Sequence, residues 1–187
     1  MSKQVLFIQG AGENAYREDA KLVRSLHRTL GSEYEIIYPT MPNEADVHYG
    51  EWRLQIETEL AKIHKPAILI GHSVGGSILL KCLSEIKIRK PVAALFLMAT
   101  PFWGGDGWRY DGYEDIELSK DLVAKLAKDM PLFFYHCRDD SIVPYEHLAL
   151  YKKLLPHATS RNIDIGGHQF NDDLVLIVQD IHELTFH

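Results

Sequence analysis

The sequence predicts an α/β protein, a three-layer sandwich in which a parallel sheet of about six strands carries helices on both faces. Short apolar segments alternate along the chain with longer segments whose apolar residues recur every three or four positions. This alternation is typical of βαβ units and hence of a parallel sheet. The first apolar segment, Gln4 to Gln9, is apolar almost throughout, as expected of a strand buried on both faces. The 187 residues suit one domain, residues 1–187.

Three strands and three helices are predicted in the first half of the chain. The first helix begins at Asn14, a residue type that caps helix N-termini, and ends before Gly31. Its apolar face consists of Leu22, Val23, Leu26 and Leu30. The predicted elements are a strand at 4–9, a helix at 14–30, a strand at 34–38, a helix at 48–64, a strand at 67–70 and a helix from there to about 86.

Three further strands alternate with helices in the second half. Residues 174–178 are apolar enough for a strand, but the preceding Asn171, Asp172 and Asp173 are helix-start signals. The predicted elements are a strand at 92–98, a helix near 119–128, a strand at 132–137, a helix at 145–155, a weak strand at 159–163 and a helix at about 172–183. Parallel sheets bind ligands at the carboxyl ends of their strands, so the strand-to-helix loops are the candidate site.

Composition and charge argue against several classes of protein. The formal net charge of −6 argues against nucleic-acid binding, which needs basic side chains on the phosphates. The longest apolar run, Val92 to Ala99, is far shorter than the roughly 20 residues of a membrane-spanning helix. The N-terminus does not have the pattern of a signal peptide, and Cys82 and Cys137 are too few for a disulfide framework. We therefore expect a cytoplasmic protein with reduced core thiols and neither a membrane nor a nucleic-acid partner.

The segment Gly71-His72-Ser73-Val74-Gly75 has the strongest chemical implication in the sequence. It matches G-x-S-x-G and stands between a predicted strand and a predicted helix, which is the context of a nucleophile elbow. Such a turn is so tight that the residues two before and two after the serine must lack bulk, and both are glycine. The alternative is a plain glycine turn whose serine has no catalytic role.

A serine at its ordinary pKa is a weak nucleophile and needs a base. His168 is the best candidate of the ten histidines, because it follows Gly166 and Gly167 in the loop after the last strand. The alternative is a surface-loop histidine, and His72 is expected to pack behind the elbow. A carboxylate must orient the imidazole. Three aspartates are candidates for that role, and the order of preference is Asp140, Asp139 and Asp164.

The oxyanion of an acyl-transfer intermediate needs preorganised N–H donors. One is expected from Val74, the residue after the serine, and one from the loop after the first strand, where Ala11 fits. Residues 10–15 of this loop also match the dinucleotide fingerprint G-x-G-x-x-A. That fingerprint needs an acid at the end of the second strand, and residues 38–40, Tyr-Pro-Thr, contain none. Phosphate-loop and zincin motifs are also missing, so neither a cofactor nor a metal is expected.

These motifs resemble the small serine hydrolases of the retinoblastoma-binding protein 9 and YdeN type, within the α/β-hydrolase superfamily. The resemblance covers nearly the whole chain. It rests on the first strand and its glycine turn, Tyr38-Pro39, Met41-Pro42-Asn43, Trp52, the elbow with Gly76, Asp140 to Pro144, and Gly167-His168. It implies an α/β-hydrolase fold with six parallel strands and no large cap domain. It also implies Ser73 as nucleophile, His168 as base and Asp140 as orienting acid, because Asp-x-x-Val-Pro recurs at this turn in the family.

The aromatic, glycine-rich segment Thr100 to Leu118 is interpreted as a small lid that lines an acyl pocket. The alternative is a loop whose aromatic residues only cover the end of the sheet. An apolar lining favours uncharged acyl groups. The candidate pocket residues are Met41, Trp52, Phe102, Trp103 and Trp108, of which Trp52 suits core packing equally well.

We expect a serine hydrolase that cleaves ester or thioester bonds of small uncharged acyl substrates through an acyl-enzyme. Amide or peptide bonds are a variant, although an amine leaves less easily than an alcohol or a thiol. The alternative is a non-catalytic or weakly catalytic protein of the same fold that binds a small ligand or a protein partner, because a fold does not determine a function. The sequence does not predict the oligomeric state.

Overall fold

A computed structural model describes residues 2–86, 92–104, 107–109, 113–119, 121–126 and 130–184. Six strands and six α-helices lie within these ranges, together with three short 3-10 helices. In chain order they are β1 (Lys3–Ile8), α1 (Ala15–Leu30), a 3-10 helix (Gly31–Glu33), β2 (Tyr34–Ile37), α2 (Tyr49–Lys62), β3 (Ala67–His72), α3 (Ser73–Glu85), β4 (Val92–Met98), a 3-10 helix (Glu114–Ile116), α4 (Leu122–Lys125), β5 (Leu132–Cys137), α5 (Glu146–Leu154), β6 (Thr159–Ile163), a 3-10 helix (Phe170–Asp172) and α6 (Val175–Glu183).

All six strands are parallel, and their order in the sheet is β2-β1-β3-β4-β5-β6. The first strand, β1, therefore lies inside the sheet, β2 forms one edge, and β3 to β6 follow one another on the other side of β1. β1 pairs with β3 from Gln4 opposite Ala67 to Ile8 opposite Gly71. Because parallel strands all end at the same edge, the loops after β1, β3, β5 and β6 meet there.

Side chains of the central strands alternate between two cores, one on each face of the sheet. Val5 and Phe7 of β1 face α1 and α6, whereas Leu6 and Ile8 face α2 and α3. The first core contains Leu22 and Leu26 of α1 with Ile177 and Ile181 of α6, and the second contains Trp52 and Ile56 of α2 with Ile78 and Leu79 of α3. Burial on both faces explains why these strands are apolar at almost every position. The predicted three-layer arrangement is thus confirmed.

The sequence predicts the starting position of α1 correctly, but the capping hydrogen bond expected from Asn14 is not formed. Asn14 precedes α1 in a left-handed conformation, with φ 64°, and its side chain makes no capping hydrogen bond. Its backbone carbonyl instead accepts the N–H groups of Arg17 and Glu18. Gly31 ends α1 as predicted, with φ 69° and its N–H donating to the carbonyl of His27.

Two predicted helices are shorter in the structure. α6 begins at Val175 instead of near Asp172, because residues 170–172 all have positive φ values that an α-helix does not accommodate. The predicted helix at 119–128 is present only as Leu122–Lys125, and residues 120 and 127–129 lie outside the described residues. None of the helices in the described ranges combines the length and the apolar character needed to cross a bilayer.

The longest connection between strands runs from β4 to β5, over residues 99–131. It is too short to form a cap domain of ordinary size, which needs at least about 50 residues. Residues 105, 106 and 110–112 of the predicted lid segment lie outside the described residues.

Candidate active site

Ser73 stands at the junction of β3 and α3, where the backbone reverses within a few residues. Its φ of 51° lies in the left-handed region that residues other than glycine rarely adopt. A Cβ atom on Gly71 would lie 2.6 Å from Cα of Gly76, and one on Gly75 would lie 2.0 Å from the carbonyl oxygen of Gln9. The flanking glycines are therefore required by contact with backbone. The geometry is that of a nucleophile elbow.

We expect Gly75→Ala to destabilise the fold by about 3 kcal/mol or more, because its methyl group would overlap the backbone carbonyl of Gln9, the residue directly after β1. The matched control is Gly50→Ala in α2, where a Cβ meets nothing within 4 Å. That change should be neutral or stabilising by up to about 1 kcal/mol. Urea unfolding of both variants checks the prediction. Equal midpoints for the two variants would show that the elbow has room for a side chain.

His168 lies in the loop after β6, and Asp140 lies in the loop after β5. Nδ1 of His168 is 2.9 Å from Oδ2 and 3.2 Å from Oδ1 of Asp140. The Asp140 side chain is inaccessible to solvent, and that of His168 is 15% exposed. Because a carboxylate accepts hydrogen bonds, the Nδ1 atom carries the proton, and Nε2 is left as the basic nitrogen.

Backbone and side-chain donors hold the Asp140 carboxylate in place. Oδ1 accepts the N–H of Ile142 at 2.9 Å and of Val143 at 3.0 Å. Nε2 of His136 is hydrogen-bonded to the carbonyl of Val143 at 2.9 Å and lies 3.4 Å from Oδ2 of Asp140. Burial raises the pKa of the Asp140 carboxyl, but hydrogen bonds from His136 and His168 outweigh it, and the pKa lies well below its usual range. Asp140 is therefore a carboxylate at neutral pH.

The other two candidate carboxylates have different partners. Asp139 accepts the N–H groups of Gly166 at 3.0 Å and Gly167 at 2.8 Å, and so holds the loop that carries His168. Asp164 is exposed and lies 3.3 Å from Nε of Arg138. Of the three carboxylates that the sequence leaves open, Asp140 is the one in contact with the imidazole of His168.

Both predicted oxyanion donors line the cleft that contains the serine. Val74 is the second residue of α3, so its N–H belongs to the first turn, which has no intrahelical acceptor. The backbone N–H groups on either side of Ala11 donate hydrogen bonds to other parts of the chain. Gly10 donates to a carboxylate of α1 at 2.8 Å, and Gly12 donates to the carbonyl of Glu44 at 2.6 Å. The backbone around Ala11 is therefore fixed next to the elbow.

A second acid–imidazole pair lies behind the nucleophile. Oδ2 of Asp19, on α1, is 2.9 Å from Nδ1 of His72, and both side chains are 1% exposed. Nε2 of His72 donates to the backbone carbonyl of His168 at 3.0 Å. Nε2 of Gln169 donates to Oδ1 of Asp19 at 3.0 Å. His72 thus packs behind the elbow, as expected, and connects it to the loop of His168.

The two histidines have opposite pKa shifts. Burial lowers the pKa of His72, but the charge and hydrogen bond of Asp19 outweigh it and raise that pKa above its usual value. Burial lowers the pKa of His168, and the nearby His72 lowers it further, against the opposing hydrogen bond of Asp140. His168 is therefore neutral at neutral pH and available as a base.

A cleft of about 430 Å³ lies at the carboxyl edge of the sheet, with Ser73 and His168 both in its lining. Trp103 stacks on Tyr113 with ring centroids 5.0 Å apart, and it meets Trp108 edge-on at 5.7 Å. The large apolar residues of the lining are Trp103, Trp108, Tyr113, Ile142, Val143 and Val74. A cleft of this size and character suits a small ligand with an apolar part.

Three of the five predicted pocket residues lie elsewhere. Met41 and Trp52 are 2% and 0% exposed in the core between the sheet and α2, and the Trp52 indole N–H donates to the carbonyl of Pro42 at 2.7 Å. Phe102 packs edge-on against Tyr151 with ring centroids 5.1 Å apart. These three residues are not in the lining of the cleft, because large apolar side chains in this chain also fill the core. Trp103 and Trp108 do line the cleft.

Sequence reasoning missed Asp19 and Gln169 as parts of the site. Asp19 precedes Leu22 by three residues and Val23 by four, so it lies on the apolar face of an otherwise amphipathic helix. A carboxylate on a buried face requires a partner, and that is the signal that could have found it. Gln169 follows the candidate base directly, and the sequence offers no comparable signal for it.

Together, the parallel sheet, the elbow and the position of the cleft define the class of this protein, which is an α/β-hydrolase. The chain belongs to the serine hydrolase family, whose model matches residues 23–153. It is therefore a hydrolase. Comparison with curated protein sequences finds no match.

Solved structures agree with this assignment at the level of the fold. The crystal structure of the ydeN gene product from B. subtilis has a TM-score of 0.77 and 18% identity, covering 98% of each chain. The esterase domain of a Rhodothermus marinus protein has a TM-score of 0.68 and 21% identity, over 96% of this chain and 84% of that one. Est1E from Butyrivibrio proteoclasticus with bound ferulic acid has a TM-score of 0.69 and 17% identity, over 97% and 87%.

Proposed function

We propose that this chain is a serine esterase that hydrolyses carboxylic esters or thioesters of small uncharged acyl groups through Ser73, His168 and Asp140. The observation that carries the proposal is the 2.9 Å contact between Nδ1 of His168 and the buried Asp140 carboxylate, in a cleft that also contains the elbow serine. This contact orients the imidazole so that its other nitrogen acts as the base. A plain glycine turn would not require such a pair.

In the acylation half-reaction, Oγ of Ser73 forms a bond to the substrate carbonyl carbon, and its proton moves to Nε2 of His168. The carbonyl π electrons move to oxygen, where the N–H groups of Val74 and Ala11 stabilise the oxyanion. The tetrahedral intermediate then collapses, and the carbon–oxygen or carbon–sulfur bond breaks. His168 returns its proton to the leaving alcohol or thiol, and the acyl group remains on Ser73.

In the deacylation half-reaction, water takes the place of the serine. His168 accepts a proton from water as its oxygen attacks the acyl carbon, and then returns the proton to Oγ of Ser73 as the acid departs. Asp140 stays a carboxylate throughout and stabilises the imidazolium in each step. Its low pKa and burial support that role.

The lining of the cleft supports the proposed substrate class. Trp103, Trp108 and Tyr113 offer aromatic surface for an acyl group. The lining also contains Glu13 and Glu18, whose negative charges disfavour anionic substrates. An esterase domain and Est1E, whose structure holds ferulic acid, share the fold. The aromatic residues come from the segment 100–118, which we propose acts as a small lid over the acyl group.

The activity should depend on pH through His168. Its neutral form is the base, and burial together with His72 lowers its pKa from the usual 6.5. The rate constant kcat/KM should therefore be mostly retained at pH 7 and fall as the pH drops through a midpoint below 6.5. A pH profile measured with a p-nitrophenyl ester gives this midpoint. A midpoint above 7 would contradict the assignment of His168 as a base in this environment.

A panel of p-nitrophenyl esters from acetate to octanoate, with a benzoate, an acyl thioester and an anilide, tests the substrate class. We expect turnover of the esters and the thioester and slower turnover of the anilide. Trp108→Ala should raise KM for benzoate about tenfold and leave the acetate nearly unchanged, because only the larger group reaches the indole.

The matched control for Trp108 is Phe102→Ala, an aromatic residue of the same segment that packs on Tyr151 outside the cleft lining. It should leave the ratio of benzoate to acetate turnover unchanged. If both variants alter the ratio equally, the aromatic residues act through the stability of the segment and not through substrate contact.

A further inference from the structure

Asp19 connects three of the four loops that form the candidate site, those after β1, β3 and β6. Its carboxylate accepts the N–H of Gly10 at 2.8 Å in the oxyanion loop, contacts Nδ1 of His72 at 2.9 Å in the elbow, and accepts Nε2 of Gln169 at 3.0 Å beside the base. All these donors converge on one side chain that is 1% exposed. No element of the triad explains why α1 places a carboxylate there.

The hydrogen bonds also determine the charge of His72. Its Nε2 faces the carbonyl of His168 at 3.0 Å, and a carbonyl only accepts hydrogen bonds. Its Nδ1 faces the Asp19 carboxylate, which is held ionised because it accepts donors from three sides. Both ring nitrogens therefore donate, and His72 is an imidazolium paired with a buried carboxylate.

We propose that the Asp19–His72 ion pair is a positioning device for the hydrolase, which fixes the loop of His168 against the elbow and places a positive charge beside its imidazole. This inference rests on the proposed function. The rings of His72 and His168 have centroids 4.8 Å apart, close enough for the charge to act on the base through protein instead of water.

The charged groups that face His168 come from three elements. Asp140, with His136 behind it, faces Nδ1 from the loop after β5, and Asp139 binds the glycines before His168. His72 faces it from the end of β3, and Asp19 lies one contact further on α1. His72 is the nearest positive charge in this set, and it opposes the protonation of His168.

His72→Gln tests the charge while keeping the contact. The Gln amide nitrogen can still donate to the carbonyl of His168, but the positive charge disappears and Asp19 stays negative. The pKa of His168 should then rise by about one unit, read from its imidazole Cε1–H resonance during an NMR titration. Asp19→Asn should raise the pKa of His168 less, because His72 then loses its proton, so the negative charge at position 19 and the positive charge of His72 disappear together. The ¹⁵N shifts of wild-type His72 should show a doubly protonated ring at pH 7.

The control is His27→Gln, the same substitution at an exposed position of α1, which should leave the His168 titration unchanged. A His168 pKa that is the same in wild type and His72→Gln overturns the proposal, and so does a neutral His72 in the wild type at pH 7. The second measurement needs no variant and therefore does not depend on the folding of one. Neither readout requires turnover, so a chain that titrates as expected but cleaves no ester contradicts the proposed function alone.

Discussion

Ser73→Ala is expected to lower kcat for ester hydrolysis on the order of 10⁶-fold, because it removes the hydroxyl that we propose forms the acyl-enzyme. The substitution removes one oxygen atom from a side chain that is 6% exposed, and the elbow backbone should keep its conformation. KM should change little, since the cleft lining stays in place. Initial rates with p-nitrophenyl acetate, measured beside the uncatalysed reaction, check the prediction.

Ser84→Ala is the matched control for Ser73. It lies near the other end of α3, where its Oγ donates to the carbonyl of Lys81 at 2.7 Å. It should keep at least about half the wild-type kcat, since its loss costs roughly one local hydrogen bond. Ester hydrolysis that survives in Ser73→Ala would show that another group reacts.

Asp140→Asn is expected to reduce kcat by about 10⁴-fold through the wrong tautomer of His168. Oδ1 of Asp140 accepts two backbone N–H groups, so the amide oxygen of Asn should occupy that position. The amide NH2 then faces Nδ1 of His168, which must give up its proton to accept it. Nε2 consequently carries the proton and no longer acts as a base. Steady-state kinetics at pH 7–9 gives the loss.

The neighbouring Asp139→Asn separates this effect from a general loss of charge. Asp139 accepts the N–H groups of Gly166 and Gly167, and one amide oxygen can still do so. This variant should keep kcat within about tenfold of wild type, because the imidazole keeps its carboxylate. If instead Asp139→Asn shows the larger loss, the assignment of the orienting acid is wrong.

The fold and the elbow could be predicted from the sequence because their constraints are local. Strands buried on both faces must be apolar at successive positions, and the contacts of Gly71 and Gly75 with backbone admit no side chain. The two glycines of the motif G-x-S-x-G are therefore a steric requirement of the turn. Asp140 and Asp139, by contrast, are adjacent and chemically alike, and only the turn geometry decides which carboxylate contacts His168.

The rest depends on contacts between residues distant in sequence. Asp19 and His72 are 53 positions apart, and Asp19 and Gln169 are 150 apart. Sequence pattern shows that Asp19 lies on a buried face, but it does not show which donors meet it there. The position of Trp52, which is buried in the core, could not be predicted for a similar reason, since a large apolar side chain suits a core and a cleft equally.

The central claim is that Ser73 is an activated nucleophile, and intact mass after incubation with a fluorophosphonate tests it most directly. We predict a single adduct, located on Ser73 by peptide mapping, formed far more slowly in His168→Ala and not at all in Ser73→Ala. A wild-type protein that is folded, shown by a cooperative unfolding transition, and that forms no adduct on Ser73 would contradict the account.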